Sequence, residues 1–332
     1  MRTSFFLIAV QLLAVSATVV KRATVNDVAT VGYATLNGGT TGGSGGPTTT
    51  VTTLDALTTA LTGSAKKIVL ISGTITGNVA LRVGSNTTVI GKTGSALVGV
   101  GLRVFREQNV IIRNVKISKV LAKAGDAIGV QEAHQVWIDH VDLSSDLDHS
   151  KDFYDGLCDL THGVTGITVT NSFLHEHFKA SLIGHSDNNG AEDTAITVTM
   201  GNNYWRNLNS RTPSLRFGHG HVFNNVFDSN ILTNINTREG ACRWDNWKTR
   251  KHLITSDSGA QMLIQNNVFI NTSLAIESTD TGFAVATGND FGGATNTAPV
   301  GTFTSPPYSF TLLDTASVKA AVVGTAGQTL SF

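Results

Sequence analysis

Between Trp137 and Gly218 the 332-residue chain carries, in order, WIDH (Trp137–His140), YDGLCD (Tyr154–Asp159), FKASLIGHSD (Phe178–Asp187) and RTPSLRFG (Arg211–Gly218). Carboxylates come first, then a lysine, then two arginines five apart with Pro213 between them. Asp155 and Asp159 are four residues apart. On a straight strand they would share a face but stand ~13 Å apart. Two carboxylates meeting one Ca²⁺ at ~2.4 Å do not span that distance comfortably. The chain must bend, and Gly156 is placed to allow it. Asp126, in GDAIGV, is a third carboxylate at a loop-to-strand junction one repeat earlier. Two readings of the three stay open: turn aspartates, or a hard-cation site completed by waters and ligand oxygens.

Lys179 precedes the run ASLIG, and Arg211 and Arg216 flank Thr212-Pro213-Ser214-Leu215. Pro213 restricts its own backbone and that of Thr212, so the turn fixes both guanidinium groups. These cations could simply pair with the carboxylates, although FGHGH, which follows, brings no matching acids. The alternative is a groove for a polyanion, its carboxylates held by arginine forks and bridged through metal. The histidines are scattered without an HExxH pair, and neither a G-x-S-x-G elbow nor a P-loop occurs.

The elements that must position these groups are short β runs, among them KIVLISGTI, NVIIRNVKIS, QVWIDHVDLS, GITVTNSFL, AITVTMGNNYW, HVFNNVF and QMLIQNNVF. Gly, Asn, Asp and Ser separate them, with no helix-length period between, which excludes a βαβ sheet. An Asn followed by apolar or aromatic residues recurs at Asn114, Asn171, Asn203, Asn225 and Asn267. A recurring β unit marks a solenoid whose equivalent asparagines stack in a ladder along the axis. The competing architecture is a sandwich or barrel with Asn in ordinary turns. Leu54–Leu61 has helical spacing behind a capping Thr52 or Thr53. The Gly-rich stretch Thr35–Gly46 reads as an ordered loop or entry arm.

The repeat breaks once. Asn203 to Asn225 is 22 residues, but Asn225 to Asn267 is 42. Residues 242–260 (CRWDNWKTRKHLITSDSGA) differ in composition and hold Trp244 and Trp247. Removing these 19 residues leaves 23, close to the normal coil. They are read as an insertion or retained intron that bulges from the solenoid, which makes Cys242 incidental and a bridge to an inward-facing Cys158 not expected. At the N-terminus, Arg2, an apolar run and Val15-Ser16-Ala17 read as a signal peptide over residues 1–17. Residues 18–22 form a short propeptide ending in Lys-Arg, and 23–332 form one secreted domain. Asn86 and Asn271 head glycosylation sequons. Formal net charge is zero and only 14% of residues are charged, so there is no global field for nucleic acid. Beyond the leader no apolar run is long enough to span a membrane.

At WIDH, DGLCD, KASLIGHSD and RTPSLRFG, in that order, the sequence resembles polysaccharide lyase family 1, and within it the secreted fungal pectate lyases. The resemblance runs from VGYATLNGGTTGG through QNNVF. It implies an all-β, right-handed single-stranded parallel β-helix. It also implies Ca²⁺-dependent β-elimination of de-esterified homogalacturonan (polygalacturonate), leaving a 4,5-unsaturated uronate end. Carried over residue by residue, Asp126, Asp155 and Asp159 resemble the Ca²⁺ ligands. Arg211 resembles the base that takes the C5 proton, and Lys179 and Arg216 the groups that hold the substrate carboxylate. Arginine is an unusual base, since guanidinium groups stay protonated in proteins. In this reading the cations acidify C5–H by neutralising the uronate carboxylate. Family members usually show DGLLD-like runs, so Cys158 departs slightly and is expected to pack inward.

Three rivals frame the expectation. A pectin lyase acting on methyl-esterified polymer lacks the full aspartate set, so DGLCD favours pectate. A polygalacturonase needs a close acid/base carboxylate pair, and the chain has no adjacent Asp pair. A non-catalytic polysaccharide-binding solenoid has no need of Arg211. The expected partner is therefore an acidic cell-wall polysaccharide, bound by a monomer.

Overall fold

The computed structural model describes residues 23–238 and 259–332. The expected leader and propeptide, and the 242–260 segment with Cys242 except for Gly259 and Ala260, lie outside the described residues.

Each expected β run is two strands joined at a left-handed residue. In NVIIRNVKIS the strands are Gln108–Arg113 and Lys116–Ser118, and Asn114 between them has φ 56°. The same position is held by His140, Asn171, Asn202, Asn224 and Asn266, with φ between 50° and 57°. Asparagine tolerates this conformation better than most residues. The first strand of every pair joins a ten-stranded sheet, and the second joins a fifteen-stranded sheet. All registered pairs between strands are parallel, each to the equivalent strand of the next coil. The larger sheet is two faces of the solenoid fused by the long strand Ala96–Phe105. Leu97 of that strand pairs with Ile117, and Leu102 with Ile128. The chain is a parallel β-helix.

Apolar side chains fill the interior, and Trp205, Phe227, Phe269 and Phe291 stack along it with ring centroids 4.8–5.9 Å apart. Beside them runs the asparagine ladder. Ser172 N–H donates to Asn203 Oδ1 (2.9 Å), Asn203 N–H to Asn225 Oδ1 (2.8 Å), Asn225 N–H to Asn267 Oδ1 (2.9 Å) and Asn267 N–H to Asn289 Oδ1 (2.9 Å). Asn114 and Asn171 do not belong to it. They occupy the left-handed turn, and Val115 and Ser172 stand at the ladder position in those coils. Two asparagine positions, one conformational and one hydrogen-bonding, lie next to each other and look alike in sequence.

Leu54–Leu61 is a helix, with Ala56 N–H donating to Thr53 Oγ1 (3.3 Å) and Leu57 and Leu61 buried. The Gly-rich arm is ordered: the N–H groups of Thr41 and Gly42 donate to Asn109 Oδ1 at 2.7 and 2.8 Å. A second helix, Thr315–Val322, packs Val318 and Val322 with Tyr204, Val226 and Val268. Its weak apolar pattern hid it in the sequence. Cys158 is a free, fully buried core residue, as its place beside Asp159 required.

The strand registers isolate the excess sequence. Leu215, Thr237 and Ser278 are aligned on successive coils, as are His219, Gln261 and Phe283. Leu215 to His219 is 4 residues and Ser278 to Phe283 is 5, whereas Thr237 to Gln261 is 24. Removing 19 would leave 5. Ala260 itself does not bulge: it is buried, and its carbonyl accepts from Phe283 N–H (2.8 Å). Deleting 242–260 supplies the same dipeptide from Gly240-Ala241. The deletion is expected to leave the circular dichroism spectrum unchanged and the melting temperature equal or higher; loss of the cooperative transition would make the segment integral to the fold. Asn225→Ala is expected to cost ~2–4 kcal/mol in denaturant unfolding, since it strands the buried Asn203 N–H and opens a small cavity.

Candidate active site

On one edge of the solenoid the turns leading into the second face of the large sheet stack directly. Ala127 N–H donates to Gly156 O (3.0 Å), Leu157 N–H to Ala180 O (3.0 Å), Ser181 N–H to Arg211 O (2.7 Å) and Thr212 N–H to Asn234 O (3.1 Å). Asp126, Asp155 and Arg211 sit on these turns and Lys179 ends the strand Phe173–Lys179 that runs into one, so that each coil carries one of the four. Asp159 lies on the adjoining strand Cys158–Thr161, and Arg216 ends Ser214–Arg216. All six candidates therefore occupy one edge.

Asp126 Oδ1 accepts from Gly156 N–H (2.9 Å), and Asp159 Oδ1 accepts from Leu182 N–H (2.9 Å). Burial, then repulsion from Asp155, raises the Asp126 carboxyl to about 6. Burial, then repulsion from Asp126, pushes Asp159 well above the ordinary carboxylate range, while Arg211 pulls it back. Gly156 matters for space, not for an unusual φ. A Cβ there would overlap the Asp159 carboxyl, and one on Gly129 would crowd Asp126 Oδ2 at 3.1 Å. Asp126, Asp155, Arg103 and Gly129 line a groove of about 180 Å³. Among the described residues no three carboxylate, histidine or cysteine groups close on one point as a finished metal centre. The donors nevertheless suit a hard cation, being carboxylate oxygens whose mutual repulsion the neighbouring cations offset only in part.

The cations divide into paired and unpaired. Lys179 Nζ lies 3.1 Å from Asp152 Oδ1 and 3.4 Å from Asp155 Oδ1. Arg216 Nε donates to Asp187 Oδ1 (2.6 Å), which also takes Arg238 Nη2 at 3.0 Å. The acid that the residues after Arg216 failed to supply comes from the coil before it. Arg211 forms no ion pair within 4 Å among the described residues. Its backbone is left-handed (φ 60°), and the Thr212–Pro213 peptide that follows is cis.

His177 escaped the sequence reading because nothing in its spacing set it apart from the other histidines. It is buried, and its Nε2 lies 2.6 Å from the Asp155 carbonyl. Only an Nε2–H tautomer donates there, so Nδ1 accepts from Ser145 Oγ at 2.6 Å. Burial holds the imidazole at about 4, so it stays neutral and braces the Asp155 backbone.

The Asp126 shift has a testable sign. A native carboxyl raised above its ordinary value stabilises the fold at low pH, and that stability is lost as pH rises through about 6. In cation-free protein Asp126→Asn is therefore expected to raise stability above pH 6 by ~1–3 kcal/mol and to do little near pH 4. Thermal melts across that range check it.

A family model described as pectate lyase matches residues 7–329. Pectate lyase A of Aspergillus niger is 52% identical over 315 residues, covering 94% of this chain and 91% of that protein. Pectate lyase B of Colletotrichum gloeosporioides is 50% identical over 320 residues, covering 95% and 90%. Among solved structures, a pectate lyase from Bacillus sp. N165 in complex with trigalacturonate superposes with TM-score 0.76 at 28% identity, covering 90% of this chain and 98% of that one. The chain belongs to the pectate lyase family and is a polysaccharide lyase.

Proposed function

We propose that the protein is secreted and cleaves de-esterified homogalacturonan by Ca²⁺-dependent β-elimination, releasing 4,5-unsaturated oligogalacturonides. The observation that carries this reading is the placement of Asp126, Asp155 and Asp159 on adjacent coils, mutually repelling, beside Arg211, which has no ion pair among the described residues. A neutral, methyl-esterified polymer would leave that carboxylate excess with nothing to do. The trigalacturonate bound by the Bacillus relative is consistent with the same substrate class.

In this reading Asp126, Asp155 and Asp159 hold Ca²⁺, which when bound neutralises the substrate's uronate carboxylate and makes the adjacent C5–H more acidic. Lys179 and Arg216 hold that carboxylate and stabilise the charge that develops on it. Lys179 would exchange its contact with exposed Asp152 for the substrate. Asp187 aims Arg216 by occupying Nε, with Gly184 O 3.4 Å from Nη1. Arg211, in its neutral form, accepts the C5 proton and becomes guanidinium. The electron pair of that C–H bond forms the C4–C5 double bond as the C4–O bond breaks, its electron pair leaving on the departing chain's oxygen, which takes a proton from solvent.

Absorbance near 232 nm, with polygalacturonate as substrate, follows the reaction. Excess chelator is expected to abolish activity and added Ca²⁺ to restore it, and Asp155→Ala to raise the Ca²⁺ requirement with the fold intact. Full activity in chelator would move the assignment toward a pectin lyase. Arg211→Ala is expected to cost at least ~10² in kcat. Arg211→Lys should fail as well, because an ammonium differs in reach and geometry. Near-normal turnover by Arg211→Lys would make Arg211 a charge clamp and place the proton acceptor elsewhere.

A further inference from the structure

The site is elongated along the solenoid axis, and the axis continues past it. From Asp126 toward the N-terminal end, the next coil is Gly101–Arg103, where Leu102 N–H donates to Ala127 O (2.9 Å). The coil beyond that is Ala80–Arg82. On the second face of the large sheet Arg82 pairs with Arg103, Arg103 with Gly129, and Gly129 with Asp159. These four positions form one outward column, and at ~4.8 Å per strand Arg103 stands ~10 Å and Arg82 ~14 Å from the Asp159 position.

Both arginines are exposed, and neither forms an ion pair within 4 Å among the described residues. Arg103 bonds the neutral Gln131 side chain, and Arg82 donates to the Phe105 carbonyl (3.2 Å). Their neighbour Arg106 is neutralised by a fork to Glu132 at 2.7 and 3.2 Å. All three guanidinium groups lie over the one Phe105 ring, at 4.9–5.2 Å from its centroid. The negative face of the ring holds together cations that would otherwise repel. Arg103 also lines the groove shared by Asp126 and Asp155, so its end of the pair adjoins the site directly.

We propose that Arg82 and Arg103 form a distal subsite that binds the carboxylates of uronate units beyond those at the reacting bond. This rests on the proposed polyuronate substrate. A sugar unit is about as long as the ~4.8 Å strand spacing, so a chain lying along the axis presents its acid groups near successive coils. Planar guanidinium forks on a fixed sheet suit such carboxylates. The subsite favours long polymers over short oligomers and stretches of free acid over esterified ones.

The test compares Arg82→Gln, and then Arg82→Gln/Arg103→Gln, with wild type on polygalacturonate and on trigalacturonate at fixed Ca²⁺. KM for polymer is expected to rise about 3–20-fold, each exposed pair being individually weak. For Arg82→Gln, which lies outside the groove lined by Asp126 and Asp155, kcat on polymer and KM for the trimer should stay unchanged. Added salt should erase the difference. Arg106→Gln, already neutralised by Glu132, should behave like wild type. Unchanged KM for polymer, or an equal rise on trimer and polymer, overturns the proposal. Wild-type protein that fails to cleave polygalacturonate overturns the substrate reading instead. Both substitutions are on the surface, and an unaltered melting temperature confirms that the variants are folded.

Discussion

The backbone hydrogen bond from one coil to the next is the constraint on which the site depends. Every coil is registered on its neighbour through parallel ladders, and the ladder does not stop at the strand ends. It runs through the turns, as in Leu157 to Ala180 and Ser181 to Arg211. Residues some 20 to 30 apart in sequence are thereby held one strand spacing apart, ~4.8 Å. A row of charges built this way cannot collapse onto itself when unliganded. Asp126 and Asp159 stay close despite their repulsion because their backbones are already committed to the stack. Such preorganisation costs no rearrangement when the substrate's own charge arrives.

That rigidity is reinforced where the charges are. Gly156 leaves room for the Asp159 carboxyl, and its N–H holds Asp126, so one residue touches two of the three carboxylates. Neutral, buried His177 fixes the Asp155 carbonyl without adding charge to the cluster. Asp187 is shared between Arg216 and Arg238 on consecutive coils, which aims both guanidinium groups. Arg211 alone among the candidate cations is left without a carboxylate partner within 4 Å among the described residues. Its orientation comes from its left-handed backbone and the turn that follows.

The solenoid was legible because a repeat imposes itself on composition: apolar pairs, turn asparagines and near-constant coil length recur without reference to distant contacts. That the six candidate residues fall along one edge follows from their order in the sequence, since they recur on successive coils. Three features were not legible. Asn114 and Asn203 are followed alike by apolar or aromatic residues, yet one serves a backbone angle and the other a side-chain ladder. His177, Asp152 and Asp187 act through partners 22, 27 and 29 residues away, and no local pattern announces such pairs. The helix Thr315–Val322 packs on the outside of the solenoid with only two fully buried residues, too few for a clear apolar stripe.

The raised carboxyls invite another interpretation: Asp126, near 6, as a protonated general acid with Asp155 as its ionised partner, the arrangement of a glycoside hydrolase. The charges around them argue otherwise. An acid–base pair needs one carboxyl neutral and one charged, and here two neighbouring groups, Asp126 and Asp159, are pushed up together. Asp159 is buried behind Gly156 and spends one oxygen on Leu182 N–H, which favours its ionised form, as does Arg211. Burial first, and mutual repulsion second, raise two carboxyls that are also bonded as acceptors, an arrangement that a cation between them would relieve in the proposed reading. On that reading the same cation would make arginine chemistry workable nearby, because it would lower the basicity demanded of the proton acceptor. In the proposed reading metal site and base are one device: the cation meets the carboxylates' charge, and Arg211, which has no ion pair among the described residues, is left for the substrate.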